Sequence, residues 1–182
     1  ERIVAEYKAR GWENVICYGM GSTLDDVKNA AAAEMNIVCS AAAIRVAEYL
    51  KEKFGTPYEI EYPRSCLPEE IVQKADNFAD KNVLVIHNQT AADAVRKLIT
   101  EKSGKCHCTS ATFFMQKKEL SQQSDFFLAD ESDLCDNVGD NYDVVIADKT
   151  LRRVMKNFSG EFIDFPHFGL SGRLLQGESE KI

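Results

Sequence analysis

The chain has 182 residues, with 22 Lys and Arg against 29 Asp and Glu, a formal net charge of -7. It is 45% hydrophobic and 28% charged, values normal for a globular protein that keeps a charged surface in water. No apolar run approaches the roughly 20 residues of a membrane span, and the acidic balance argues against a nucleic-acid binder, which would carry a basic stripe. The chain starts at Glu1 with no secretory apolar region behind it, so the expectation is a cytoplasmic piece of a longer protein.

Six cysteines are present: Cys17, Cys39, Cys66, Cys106, Cys108 and Cys135. None forms a CxxC pair, and their spacing is not that of a small disulfide scaffold. Cys17 and Cys39 sit in or at the end of apolar runs, so buried, reduced thiols are expected. In Cys106-His107-Cys108 a strand would place the two sulfurs on one face and the imidazole on the other. That is a poor chelate, and core thiols are the better reading.

Asn14-Val15-Ile16-Cys17-Tyr18 is a short apolar run ending at Gly19-Met20-Gly21, the pattern of a buried strand and a tight turn. Thr23 and Asp26 have capping-box spacing, and Leu24, Val27, Ala31 and Met35 follow at helical intervals. Asn36-Ile37-Val38-Cys39 predicts a second strand, residues 42–54 a helix closed by Gly55, and residues 58–62 a strand ending at Pro63. Pro68 opens a helix with Ile71, Ala75, Phe78 and Ala79 on its buried face. Val83-Leu84-Val85-Ile86-His87 is an unbroken aliphatic strand, which belongs in a sheet covered on both faces. Thr90 with Asp93 repeats the capping box for the next helix. Residues 105–114 read as strand or extended chain, then a polar segment runs to Asp125. Residues 142–147 form a buried strand, Leu151, Val154 and Met155 mark a short helix, and residues 161–165 a last strand. Alternating strands and helices predict an α/β protein with Rossmann-like, doubly wound parallel sheets in three layers. Two units are expected, a partial one over residues 1–80 and a second over residues 81–182.

The Ser22-Thr23-Leu24-Asp25-Asp26 loop, then Ala33-Glu34-Met35-Asn36-Ile37-Val38-Cys39, then Tyr49-Leu50-Lys51-Glu52-Lys53-Phe54-Gly55-Thr56-Pro57-Tyr58 resembles nitrogenase component 1 and its relatives. Those relatives are the molybdenum-iron protein chains, cofactor-assembly scaffolds and dark-operative protochlorophyllide reductase. The strand at Val83 to His87 and the close Phe165-Pro166-His167-Phe168-Gly169 are similar to that family's next Rossmann-like domain. The resemblance implies an oxidoreductase component that accepts electrons from an ATP-dependent iron-sulfur reductase and pairs with a homologous second subunit. It also implies an iron-sulfur or other metallocluster, or a tetrapyrrole, between domains of the full-length protein, with none in the isolated piece. Cys39 and His167 correspond to the family's cofactor ligands, which makes them its metal-ligand candidates here. The family's bridging-cluster cysteines would precede Glu1, so the piece alone should not turn over.

The residues also have plainer readings. Cys39 stands where a strand gives way to a helix, where a thiolate would be helped by the helix dipole; the alternative is a buried thiol at a strand end. His167, between Pro166 and Phe168, is either a ligand or proton donor, or a packed histidine. Gly21 and Ser22 lie in a strand-to-helix corner whose amides could hold an anion, yet the segment is neither GxGxxG nor a phosphate loop. His87-Asn88-Gln89-Thr90 occupies the equivalent corner of the second unit and could touch a ligand. No G-x-S-x-G elbow occurs, so a hydrolase triad is not supported. The alternatives to the oxidoreductase are a cofactor-assembly scaffold and a small-molecule-binding regulatory module of the same fold.

Overall fold

The structure is a computed structural model that describes residues 2–19, 21–138 and 141–172. It divides into two compact units, Glu1–Cys66 and Leu67–Ile182. The division falls ahead of the helix that the sequence reading placed at the end of the first unit. That helix, α4 (Glu69–Lys74) with a 3-10 turn at Ala75–Phe78, buries Ile71, Ala75 and Phe78 completely and packs on a helix of the second unit.

In the first unit, α1 (Arg2–Ala9) is tied down by polar contacts. Tyr7 donates to Glu61 at 3.1 Å, Arg10 donates to the same carboxylate at 2.9 Å, and Glu6 accepts the Ser65 amide at 2.9 Å. α2 (Leu24–Lys28) begins with the expected capping box, Thr23 and Asp26 each accepting the other's backbone N–H. β1 (Asn36–Val38) and β2 (Tyr58–Ile60) form a two-stranded parallel sheet. They are joined through α3 (Ile44–Phe54), which Gly55 ends in the left-handed conformation at φ 77°. Residues 14–18 form no strand, contrary to expectation. Ile16 is 51% and Tyr18 47% exposed, and Cys17 is exposed rather than buried. An apolar run becomes a strand only when a neighbouring strand takes its backbone hydrogen bonds, and the ladder of β1 is made with β2.

The second unit is a five-stranded, all-parallel sheet. Its strands are β3 (Asn82–Ile86), β4 (His107–Thr112), β5 (Phe126–Phe127), β6 (Val144–Ala147) and β7 (Glu161–Asp164), in the spatial order β5-β4-β3-β6-β7. The chain winds outward from β3 to one edge, returns to β6 beside β3, and winds to the other edge. The expected doubly wound α/β architecture is what forms. Val83, Leu84, Val85 and Ile86 are 0 to 1% exposed, as an aliphatic run in a sheet covered on both faces must be. Leu84 and Ile86 pack with Leu134 and Val138 of α6 (Glu131–Val138) and with Leu151 and Met155. Successive strand residues point to opposite faces, so Val83 and Val85 face the other layer, that of α5 (Gln89–Ser103).

The cap of α5 differs from expectation. Asn88, not Thr90, accepts the Ala91 amide at 2.9 Å, and the Thr90 hydroxyl donates to the same Asn88 oxygen at 2.8 Å. Helix entry two residues earlier leaves Asp93 to pair with Arg96 at 2.9 Å. Arg96 also pairs with the buried Asp125 carboxylate and donates to Cys108 O at 3.1 Å. Among the described residues no helix is long and apolar enough to cross a membrane.

Candidate functional site at the C-terminal edge of the five-stranded sheet

β3 and β6 are adjacent, but their connections leave in opposite directions, to β4 and to β7. This is the switch point of a doubly wound sheet, and the loops beyond the strand ends there leave a crevice for ligands. His87 follows β3, Phe113 and Phe114 follow β4, Asp148 follows β6, and Phe165-Pro166-His167 follows β7. The four loops bring these side chains together.

His87 is 4% exposed. Its ring stacks on Phe165 with centroids 4.0 Å apart and meets His167 edge-on at 4.6 Å. His87 Nε2 lies 3.2 Å from Pro166 O; a carbonyl only accepts, so Nε2 carries a proton. Burial pushes its pKa down to about 3, with His167 adding to the effect and the Pro166 carbonyl and Asp148 opposing it.

His167 is half-buried, with Phe114 stacked on its face at 4.1 Å and 12°. It caps α7 (Phe168–Ser171) through its ring, Nδ1 accepting the Gly169 amide at 3.1 Å. A lone pair on Nδ1 puts the proton of the neutral ring on Nε2. The approach is close at Gly169: a Cβ there would stand 3.2 Å from Cε1 of His167 and 3.3 Å from Cε1 of Phe114, so both rings would have to give by a few tenths of an ångström. Burial lowers the His167 pKa, partly opposed by Asp148.

Asp148 is the anchor. Its carboxylate is 0% exposed and accepts the His167 amide at 2.9 Å, the Ser171 hydroxyl, and the amide and hydroxyl of Thr150 at 2.9 and 2.8 Å. Burial alone would raise its pKa, but these donors hold it well below the usual carboxylate range. Gln89, 1% exposed, braces the same corner by bonding both backbone groups of Lys117, at 2.9 Å each.

The predicted site residues divide between the units. His87 and His167 come together in the second. Cys39, Gly21 and Ser22 belong to the first. The Ser22 hydroxyl is engaged within its own turn, donating to Gly19 O at 2.9 Å and accepting from Gly19 N at 3.1 Å; Gly21 has φ 93°, a turn conformation that favours glycine. Cys39 is half-buried after β1. Burial pushes its thiol up to about 11, with Cys66, Cys17, Glu61 and Glu6 adding to the shift. The expected dipole-stabilised thiolate is not what this environment favours: a 3-10 turn at Ala41–Ala43, capped by Ser40, leads into α3 just after Cys39, and burial beside other thiols and two carboxylates outweighs any help from that helix end. Cys108 is a core thiol pushed up by burial to about 12, and its neighbour His107 is exposed on the opposite face of β4.

As donors for a metal these groups are poorly arranged. Among the described residues, no group of three or more His, Cys, Asp or Glu side chains is placed to hold a metal ion. Nδ1 of His167 is taken by an amide and Nε2 of His87 by a carbonyl. Asp148, Phe114 and Ser171 were not singled out from sequence. The usable signal for Asp148 was a lone acid directly after the aliphatic run Val144-Val145-Ile146-Ala147, the position that reaches the C-terminal edge. A small apolar cavity of about 180 Å³ between α6 and residues 154–158 includes none of these side chains.

No known protein family's sequence profile matches the chain, and no curated protein matches it. Among solved structures it is similar to "Nitrogenase Cp1 at pH 6.5", with 15% sequence identity and a TM-score of 0.49 over 84% of this chain and 43% of that one. The chain therefore spans less than half the length of that neighbour.

Proposed function

We propose that this chain is part of a nitrogenase component 1-like oxidoreductase, and that its five-stranded unit binds the group on which that protein acts at the C-terminal edge of the sheet. One observation carries the placement of the site: four strand-end loops converge at the switch point and bring His87, Phe114, Asp148 and His167 into one cluster. The family part of the reading is supported by the resemblance of residues 49–58 and of Phe165-Pro166-His167-Phe168-Gly169. In this reading His167 meets the bound group, His87 backs it as a neutral ring, Phe114 shields one ring face from water, and Asp148 fixes the turn. The full-length protein accepts electrons from an ATP-dependent iron-sulfur reductase, beside a homologous second subunit in the cytoplasm.

A second reading, a small-molecule-binding regulatory module, is favoured by the donor set itself, two imidazoles whose pKa values burial lowers, with no group of three metal ligands around them among the described residues. The full-length protein, prepared anaerobically as wild type and as His167→Gln, separates the two. Electron uptake that requires the reductase and ATP, and that the variant slows, supports the oxidoreductase. Small-molecule binding with no electron uptake and no iron or sulfide supports the regulatory module.

A further inference from the structure

We infer that residues 114–121 form a lid on the His87–His167 pair, latched shut by the Gln89 side chain. Its opening admits the molecule bound at the site proposed above, on whose placement this role rests.

The segment has a firm post at each end and no core anchor between them. Thr112, 1% exposed, ends β4, and Phe113 packs against the buried core beside it. At the far end the Asp125 carboxylate, paired with Arg96, accepts the Ser110 amide at 2.9 Å and the Gln122 amide at 2.8 Å. From Phe114 to Ser124 no residue is buried, and regular structure is limited to a short 3-10 turn, Lys118–Leu120. A stretch without buried apolar side chains opens locally, well below the free energy of global unfolding.

Two contacts close it. Phe114, the first lid residue, lies flat on the His167 ring at 4.1 Å and 12°, its amide donating to Thr112 Oγ1 at 3.0 Å. Gln89 reaches the lid from the first turn of α5. Its Oε1 accepts the Lys117 N–H at 2.9 Å, and its Nε2 donates to Lys117 O at 2.9 Å and to Ser121 Oγ at 3.0 Å. A carboxamide carries a donor and an acceptor side by side, so this one side chain grips both backbone groups of Lys117 as a neighbouring strand would. Gln89 is 1% exposed, and a buried amide is tolerated where its polar groups are bonded.

The latch therefore consists of hydrogen bonds, and the cover of an aromatic ring. Releasing the three Gln89 bonds gives the lid backbone to water and leaves β3, β4 and α5 intact, because none of their buried apolar side chains lies in the lid. Moving Phe114 away uncovers one face of His167, the ring that meets His87 edge-on at 4.6 Å. Gln89 acts on this site as a positioning residue, through the lid and without touching either imidazole.

The test compares the whole chain as wild type and as Gln89→Leu, which keeps the bulk of the side chain and removes all three bonds. Diethyl pyrocarbonate acylates unprotonated imidazole nitrogen, and exposed His107 is the internal reference for its rate, read by mass spectrometry. In the wild type His167 should react more slowly than His107. In Gln89→Leu the His167 rate should rise about tenfold with His107 unchanged, and trypsin should cut at Lys117 or Lys118 sooner. The amides of residues 83–86 should keep their protection from hydrogen exchange. A wild-type His167 as reactive as His107, or an unchanged His167 rate in the variant, would overturn the lid. So would a faster His167 accompanied by lost protection in β3, since Gln89 would then act on the fold as a whole. Should Gln89→Leu not fold, wild-type exchange decides: the Lys117 amide should exchange faster than those of residues 83–86, and equal rates overturn the lid. A latch that releases as expected beside no electron uptake by the full-length protein strikes the oxidoreductase reading and leaves the lid.

Discussion

In the second unit, strands β3 and β6 lie at the centre of five, and every side chain from Val83 to Ile86 and from Val144 to Ala147 is essentially buried. In the first unit a two-stranded sheet carries a single buried side chain, Val38. Among the described residues, seven large apolar side chains there are exposed (Ile16, Tyr18, Leu24, Val27, Val46, Tyr49 and Phe54), against Met115, Phe127 and Phe168 in the second unit. The local signals are comparable, since both units have good caps and amphipathic helices. What differs is the number of strands available to share the burial. Two-stranded sheets are marginal in water, while a sheet of five with helices on both faces supports itself.

The sharpest way to break this comparison is to separate the units. Residues 67–182 expressed alone should unfold cooperatively in urea, with a midpoint close to that of the whole chain's main transition. Residues 1–66 alone should show no cooperative transition by circular dichroism. A cooperative fold in residues 1–66 would mean that its polar anchoring, Tyr7 and Arg10 on Glu61, does more than its apolar burial. Next in size is Ile146→Ala at the centre of β6, 0% exposed, which should lose about 2–5 kcal/mol. The matching change Ile16→Ala, at 51% exposure, should stay within about 0.5 kcal/mol. Urea midpoints of the two variants check the difference.

The fold of the second unit was largely legible because its strongest strands are unbroken aliphatic runs that no other element explains. Val83 to Ile86 and Val144 to Ala147 could only be central parallel strands. Residues 14–18 show the same local pattern and failed, because whether an apolar run finds a ladder partner is decided by tertiary structure. α6 was missed for the opposite reason. Glu131-Ser132-Asp133-Leu134-Cys135-Asp136-Asn137-Val138 is polar all round except at Leu134 and Val138, too weak a period to notice. Of the candidate site, the two histidines were visible as strand-end residues. Asp148 stood at the same kind of strand end, but a lone acid gives no sign that donors from residues 150, 167 and 171 will surround it.

Asp148→Asn sharpens the contrast between the well-braced edge of the second unit and the first. The substitution turns an acceptor into a group with an NH2 facing N–H and O–H donors, and should cost about 1–3 kcal/mol at neutral pH. The wild-type carboxyl has a lowered pKa, so its stabilisation is present above the range of an unfolded Asp, about 3.9, and is lost as pH falls below that range. The variant should lack this acid-labile part, which urea titrations near pH 7 and pH 3 would read.

His87 gives a smaller effect in a different window. Its folded pKa is pushed down to about 3, while an unfolded histidine titrates near 6.5. Between those values the unfolded chain binds a proton that the folded one refuses, so stability falls with pH. The slope reaches about 1.4 kcal/mol per pH unit. His87→Phe keeps a ring stacked on Phe165, gives up the bond to Pro166 O, and should flatten the stability profile between about pH 6.5 and pH 4. An unchanged slope in the variant would show that folded His87 takes up its proton as readily as an unfolded histidine, so that burial does not hold the ring neutral below about pH 6.5.

The smallest expected effect tests the premise that the first unit's apolar surface faces water. Val46 on α3 is 61% exposed, and a β-branched residue on a helix surface is slightly unfavourable there. Val46→Lys should therefore leave stability unchanged within about 0.5 kcal/mol, and sedimentation should show the same oligomeric state with less aggregation. A loss of a full kcal/mol, or a change in sedimentation, would mean that this helix face is covered in solution. The difference between the units would then reflect a missing neighbour rather than an intrinsically weaker fold, because an exposed valine has no packing to lose and a covered one does.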